Sequence, residues 1–230
     1  MVVSRTPNLV GDVDFGGSQL EAVCTFKYLA STITSRNRIQ EEVRLRIAAG
    51  TRCSWALDNS LRSRMLSRST KTQIYTTIIR PVVLYGCETW ALTKQLESKL
   101  EVFQRSILRR IWGPVWDDEA GEWRRRHNHE LIALSELPPI SNVIRSQRLR
   151  YAGYIARMEE RRLTRRVILG SPIGTRPRGR PRKRWIDNVT EDLNILEVNH
   201  NEWMELAEDR ALWRQTVKAA MDQPGPRPPE

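Results

Sequence analysis

The sequence predicts a mainly α-helical fold, with a short β-hairpin at its start and a basic loop followed by two helices near its end. Three observations predict it. Apolar residues recur at three- and four-residue spacing over most of residues 39–158, strand-like runs are confined to residues 1–35, and Gly and Pro stops fall where the helical stripes end. In the first 35 residues, Leu9-Val10 and the segment 20–29 are bounded by Gly11 and Gly16-Gly17, as in a hairpin. From residue 37 the period changes to helical. Ile39, Val43 and Ile47 recur every four residues, with Asn37 as the expected N-cap, and the stripe runs on through Cys53, Leu57 and Leu61 although Gly50 weakens it.

A second helix is expected from Ser69 and Thr70 through Ile74, Tyr75, Ile78 and Ile79, to be ended or kinked by Pro81. The third is the best marked. Thr93 caps it, Leu96, Leu100, Phe103, Ile107 and Ile111 form its stripe, Arg109 and Arg110 suit its negative end, and Gly113-Pro114 stops it. Pro138-Pro139 introduces another amphipathic helix carrying Val143, Ile144, Gln147, Tyr151, Ile155 and Met158 on one face. Residues 170–182 read as an extended loop, two last helices as 185–196 and 202–219, and 223–230 as a Pro-rich tail expected to be disordered.

The chain has 230 residues and a net charge of +11, with Arg dominating the basic runs. A balance this positive points to a polyanionic partner, and the planar guanidinium fork favours phosphate and base edges, hence nucleic acid, RNA or DNA. No run of about 18 apolar residues exists, so no membrane partner is expected. Three cysteines without paired spacing argue against a disulfide framework and fit a reducing, intracellular compartment. The charge is uneven. Residues 163–186 hold eight basic and no acidic residues, whereas 187–230 hold four basic and ten acidic ones.

The sharpest motif is Arg176-Pro177-Arg178-Gly179-Arg180-Pro181-Arg182-Lys183-Arg184. Prolines on both sides keep the backbone extended, and Gly179 permits close approach, so Arg178 and Arg180 can enter a narrow groove together. The run resembles an AT-hook. It also satisfies a nuclear-import signal, and a solvated loop is the bland alternative. Arg124, Arg125 and Arg126 form a second run, read as phosphate-contacting. Trp116 and Trp123 beside it could stack on an unpaired base or on a neighbouring helix. The remaining indoles, Trp90, Trp112, Trp185, Trp203 and Trp213, fall on or beside apolar stripes and read as core.

Five blocks in order carry a wider resemblance: FKYLASTIT from Phe26, RPVVLYGCETW from Arg80, QRLRYAGYIARM from Gln147, TRPRGRPRKRWIDNVTEDL from Thr175 and WMELAEDRALWR from Trp203. Together they resemble the region after the catalytic palm in the reverse transcriptase of a non-LTR retrotransposon of the RTE-like kind. The resemblance implies that 1–35 is a palm-edge hairpin remnant, in which Phe26, Lys27, Tyr28 and Leu29 match the strands that steady a primer end. It implies that 36–113 is a thumb-like helical bundle tracking a template–primer duplex. Residues 114–169 would link and connect, 170–184 form the basic loop, 185–221 the C-terminal helices and 222–230 the tail. Ala30 stands where the family usually has Gly, and Tyr151 and Tyr154 where Trp and His are common.

Polymerisation needs palm carboxylates holding two metal ions about 4 Å apart. The family places them before the segment matching Phe26, so no catalytic residue and no cofactor is expected here, and magnesium would serve only if a palm completed the protein. Trp116-Asp117-Asp118 imitates the carboxylate turn but lies in a polar stretch without apolar strands, and reads as a solvated acidic turn. His127, His129 and His200 with the three cysteines give no metal-ligand spacing. The expected function is nucleic-acid binding, with the remainder of a reverse transcriptase as a second partner and the nucleus as the compartment. Three rivals stand beside it: a protein-interaction module docking through the acidic helix 203–214, with the basic loop serving only nuclear import; an enzyme completed in trans by another palm; and a translated pseudogene remnant with no selected role.

Overall fold

The computed structural model describes residues 13–16, 18–20, 23–170, 182–200 and 202–223, so the AT-hook-like core at Arg176, Arg178, Gly179 and Arg180 and the tail 224–230 lie outside the described residues. The predicted fold class is what forms: helices dominate, and each of the small sheets is a two-stranded antiparallel pair. The N-terminal part holds two hairpins. Strand β1 (Val13–Phe15) pairs with β2 (Ser18–Leu20) around Gly16, and β3 (Thr25–Tyr28) pairs with β4 (Ser31–Thr34).

The β3–β4 turn is two residues long, and both Leu29 and Ala30 have positive φ, 46° and 64°. Two-residue hairpin turns that match strand twist need this left-handed conformation, which non-glycine residues adopt at a cost. This gives a physical reason for glycine at the position of Ala30. Ala30→Gly is therefore expected to stabilise the hairpin by about 0.5–1 kcal/mol, measured as slower hydrogen exchange at Ile33 and Ser35, whose N–H groups face β3; faster exchange would show that the turn is not strained. The hairpin is held on the first helix, α1 (Ile39–Ala56). Glu42 accepts from the Thr32 backbone N–H at 2.6 Å and pairs with Arg46 at 2.7 Å, and Arg46 covers the Tyr85 ring at 4.6 Å.

Asn37 does not cap α1. It sits at φ 46° in the turn before it, and Arg38 occupies the cap position, its N–H donating to Thr34 Oγ1. Helix α2 (Asp58–Arg62) prolongs the α1 stripe and buries Leu61. Helix α3 (Arg68–Ile74) starts one residue earlier than expected because Ser67 Oγ accepts from the Thr70 N–H. Pro81 neither ends nor breaks the run. A π-helical turn at Tyr75–Ile79 lets the chain pass into α4 (Arg80–Leu84), with Pro81 in the first turn of α4, where a missing N–H costs nothing. A 3-10 turn (Cys87–Thr89) then leads to α5 (Lys94–Trp112), which ends at Gly113 as its stop signal requires.

Beyond α5 come the hairpin β5 (Val115–Asp117) and β6 (Glu122–Arg124), then α6 (Asn128–Ser135) and α7 (Ile140–Ala156). Helix α7 has no single apolar stripe: twelve of its residues are buried, because it belongs to two hydrophobic cores, and only its second half keeps an exposed face, at Arg150 and Tyr154. Its first half, Ile140, Val143 and Ile144, packs into the core of α1, α4 and α5. Its second half, Leu149, Ala152 and Ala156, packs with α9 (Trp185–Ile195), α10 (Trp203–Glu208) and α11 (Arg210–Asp222). The single last helix expected over 202–219 is broken at Asp209, whose side chain accepts from the Ala211 and Leu212 N–H groups and starts α11 afresh. Helix α8 (Leu163–Leu169), not foreseen, lies between α7 and the basic loop.

Candidate nucleic-acid interface

Helix α5 ends on Arg109 and Arg110, and Gly113, at φ 69°, turns the chain sharply into the β5–β6 hairpin. That reversal folds the hairpin and the run 124–126 back beside the helix end. Arg62 of α2, Arg109, Arg110, Arg125 and Arg126, with the indole of Trp123, line a cleft of about 480 Å³. Trp123 is 67% exposed and meets Trp116 across the hairpin at 5.6 Å, edge to face. Guanidiniums converging beside an exposed indole form a cationic wall that can hold a phosphate chain.

The Trp116-Asp117-Asp118 segment therefore does form a hairpin, contrary to the expectation of a strandless polar stretch. Apolar strands were not needed, because the indole pair and polar bonds hold it. Asp117 accepts from the Glu119 and Ala120 N–H groups and from Arg124 Nε at 2.9 Å, and these bonds hold its carboxyl below the usual range. It is occupied as a turn former. Among the described residues no group of three His, Cys, Asp or Glu side chains could hold a metal ion.

The three arginines of the run have different fates. Arg124 also forks onto Glu130 at 3.0 and 2.8 Å, and that pairing, aided by the His127 N–H, draws the Glu130 carboxyl down to about 2. Its charge fixes the hairpin to α6 and is already met by two carboxylates. Arg125 and Arg126 form no ion pair among the described residues, and the buried Nε–H of Arg126 lacks an acceptor. Arg109 donates to the neutral Asn128 oxygen at 2.7 Å, and its own Nε–H is also unpartnered. Burial, then the charges of Arg125 and Arg105, hold Arg109 below its ordinary value, though still cationic at neutral pH. Arg62 and Arg110 share Asp58, at 2.8 and 3.6 Å, and Arg110 stacks over Trp55 at 4.1 Å. The uncompensated charge of the cleft is that of Arg109, Arg125 and Arg126.

The other candidate residues lie elsewhere. Phe26, Lys27, Tyr28 and Leu29 are all exposed, with Phe26 and Tyr28 on one face of the hairpin. At the described end of the basic loop, Arg182 donates to the Arg36 carbonyl at 2.7 Å, Lys183 pairs with Glu191 of α9 at 2.5 Å, and Arg184 lies 3.8 Å from Asp187. This end is thus folded onto acidic α9 and partly neutralised. Trp203 and Trp213, on the acidic segment proposed as a docking helix, are buried within the second core, so its apolar face is already covered from within. Arg109 and Arg110 were legible only as helix-end charges, and Arg62 gave no signal. What could have joined them is the sequence of helix stop, turn residues and Arg run between 109 and 126.

The chain is 23% identical over 208 residues to an uncharacterized transposon-derived protein of Caenorhabditis elegans, a match covering 87% of this chain and 72% of that relative. This likeness fits a transposon origin. No protein-family profile matches the chain, and no solved structure does. Among the described residues no helix is long and apolar enough to cross a membrane.

Proposed function

We propose that the chain is the nucleic-acid-binding, thumb and post-thumb part of a non-LTR retrotransposon reverse transcriptase, acting without polymerase or endonuclease centres of its own. The observation that carries this reading is the cleft at the end of α5, where Arg109, Arg125 and Arg126 converge without carboxylate partners beside exposed Trp123. Guanidinium groups without carboxylate partners keep their charge available, and phosphate oxygens can take them bidentately. The cleft lies at the end of the bundle that the family resemblance matches to a duplex-tracking thumb, and the same resemblance matches the exposed Phe26–Tyr28 hairpin to the strands that steady a primer end. The transposon-derived relative supports the ancestry.

Duplex DNA of about 20 base pairs should bind with a log–log salt slope near −5, as expected for about six phosphate contacts. Arg125→Ala with Arg126→Ala should flatten that slope by about 0.9 for each phosphate no longer neutralised, read by fluorescence anisotropy over a salt series. Affinity indifferent to salt would reject the proposal. Primer extension with magnesium should yield no product, and deletion of residues 170–184 separates the share of the basic loop from that of the cleft.

A further inference from the structure

The last helix hides a feature that its acidic neighbourhood conceals in the sequence. Three of the four basic residues in 187–230, namely Arg210, Arg214 and Lys218, recur every four residues and so share one face of α11. Helix α11 lies against α7, on which Arg150 and Tyr154 are spaced for one face, with Arg157 following at the helix end. The two faces form the walls of a groove of about 820 Å³, which also includes Arg162 beyond the end of α7. Six cationic side chains line it against the single carboxylate of Glu159.

These charges are not spent internally. Arg145, Arg148, Lys183 and Arg184 account for the ion pairs of this half of the chain, so Arg150, Arg162, Arg210, Arg214 and Lys218 form none among the described residues. Arg157 donates to the Ala207 carbonyl, and its proton affinity is lowered by burial and then by Arg210 and Arg214, as expected of guanidiniums that face one another. The floor is apolar, made by Met158, Val217, Met221 and an edge of Trp213. Tyr154 stands 58% exposed in the wall, its ring 6.3 Å from that of Tyr151 and nearly parallel to it. The apolar floor and the part-exposed ring above it offer little to a duplex, whose bases are paired and stacked inside. They suit a strand with its bases turned inward and its phosphates on basic walls.

We infer that the groove between α7 and α11 is a second nucleic-acid site that takes a single strand, with a base stacked on Tyr154 and phosphates held by Arg150, Arg210, Arg214 and Lys218. The inference rests on the nucleic-acid reading above, and adds to it a site of different preference on the opposite core. A chain with both sites could hold a duplex and the unpaired strand emerging from it.

The test uses the full chain with fluorescent oligo-dT of 20 nucleotides and a 20-base-pair duplex in parallel. Tyr154→Ala should weaken oligo-dT binding about tenfold and leave the duplex unaffected. Arg210→Gln with Arg214→Gln should flatten the single-strand salt slope by about 0.7 for each phosphate left without its guanidinium, with circular dichroism verifying the fold. Photocrosslinking of an iodouracil-substituted strand should label α7 near Tyr154. Oligo-dT affinity unmoved by either variant, or lost in equal proportion to duplex affinity, overturns the inference. So does crosslinking confined to the Trp123 cleft, although duplex binding would then still uphold the proposed function. Poly-glutamate displacing the strand at equal charge would reassign the groove to acidic proteins, and failure of the wild-type chain to bind either nucleic acid would sink both readings.

Discussion

Asp192→Ala should cost about 3–5 kcal/mol of stability, the largest loss expected from any single truncation in this chain. Asp192 accepts from Arg148 Nε at 2.7 Å and Nη2 at 3.2 Å, and from Arg145 Nε at 3.2 Å. Arg148 is 2% exposed, in the middle of α7 where the two cores meet. Without the carboxylate, its guanidinium would keep only the Trp90 carbonyl, at 3.4 Å, and would remain charged because arginine does not deprotonate. The damage should reach both cores, since α9 also ties the second core to the first through Asn188 Nδ2 on the Leu92 carbonyl and Trp185 Nε1 on the Glu88 carbonyl. A denaturant titration measures the loss. Arg148→Met combined with Asp192→Leu should recover most of it, because a buried pair replaced by apolar groups of similar volume is commonly neutral or better. A loss under about 1 kcal/mol for Asp192→Ala would place the pair among solvent-screened ones.

The same ion pair shows what periodicity can and cannot reveal. The stripe on α5 was legible because that helix has one wet side, and the residues read as its core, Leu96, Leu100, Phe103, Ile107 and Ile111, are all buried, joined by Gln104 and Leu108. Helix α7 has almost no wet side over its first half. Its buried Ser141, Asn142, Ser146 and Arg148 look like a polar face until their partners, distant in sequence, are known. Asn142, for instance, donates to the Met221 and Gln223 carbonyls at the far end of the chain. Long-range satisfaction of polar groups leaves no local signature. The five indoles read as core illustrate the opposite case: Trp90, Trp203 and Trp213 are buried and Trp112 and Trp185 half-buried, because aromatic bulk on a stripe has few other places to go.

The binding surfaces were legible as composition and not as geometry. The excess of arginine pointed to a polyanion, and the run 124–126 lies beside the cleft it was expected to serve. Yet Arg124, although it lines the cleft, proved to be a structural tie paired with Asp117 and Glu130, and the unpaired charge beside Arg125 and Arg126 comes from Arg109, fifteen residues earlier in the chain. Net charge misled at the other end. Residues 187–230 are acidic in sum, but three of their four positive charges fall on one helix face and their acidic ones include Asp192, buried as a counter-ion, and Asp209, used as a cap. A sum over a segment averages away the separation that a helix creates.

Gly153→Ala is expected to destabilise the chain by about 2–3 kcal/mol, against the gain of nearly 1 kcal/mol that helix propensity alone would give. An alanine Cβ at this point of α7 would lie 2.1 Å from Trp213 Nε1, 2.4 Å from Cδ1 and 2.8 Å from Cε2. The indole cannot step aside cheaply. It is buried, touches Trp203 at 5.9 Å between ring centres, and donates to the Leu149 carbonyl at 2.9 Å. Moving it breaks that bond and lifts α11 from α7, the most extensive helix pairing among the described residues. Gly50 stands in a like position on α1, where an added Cβ would come 2.2 Å from Val83 Cγ2. So both glycines that interrupt predicted helices are there because a neighbouring side chain occupies the space. Denaturant unfolding of Gly153→Ala, with Gly153→Ala/Trp213→Leu beside it, separates the causes: a smaller side chain at 213 should make the alanine tolerable, so that its added cost nearly vanishes in the double variant. If Gly153→Ala instead stabilised the wild-type chain, Trp213 would not be seated on the α7 backbone, and the groove whose floor it helps to form would not have the shape from which its ligand was inferred.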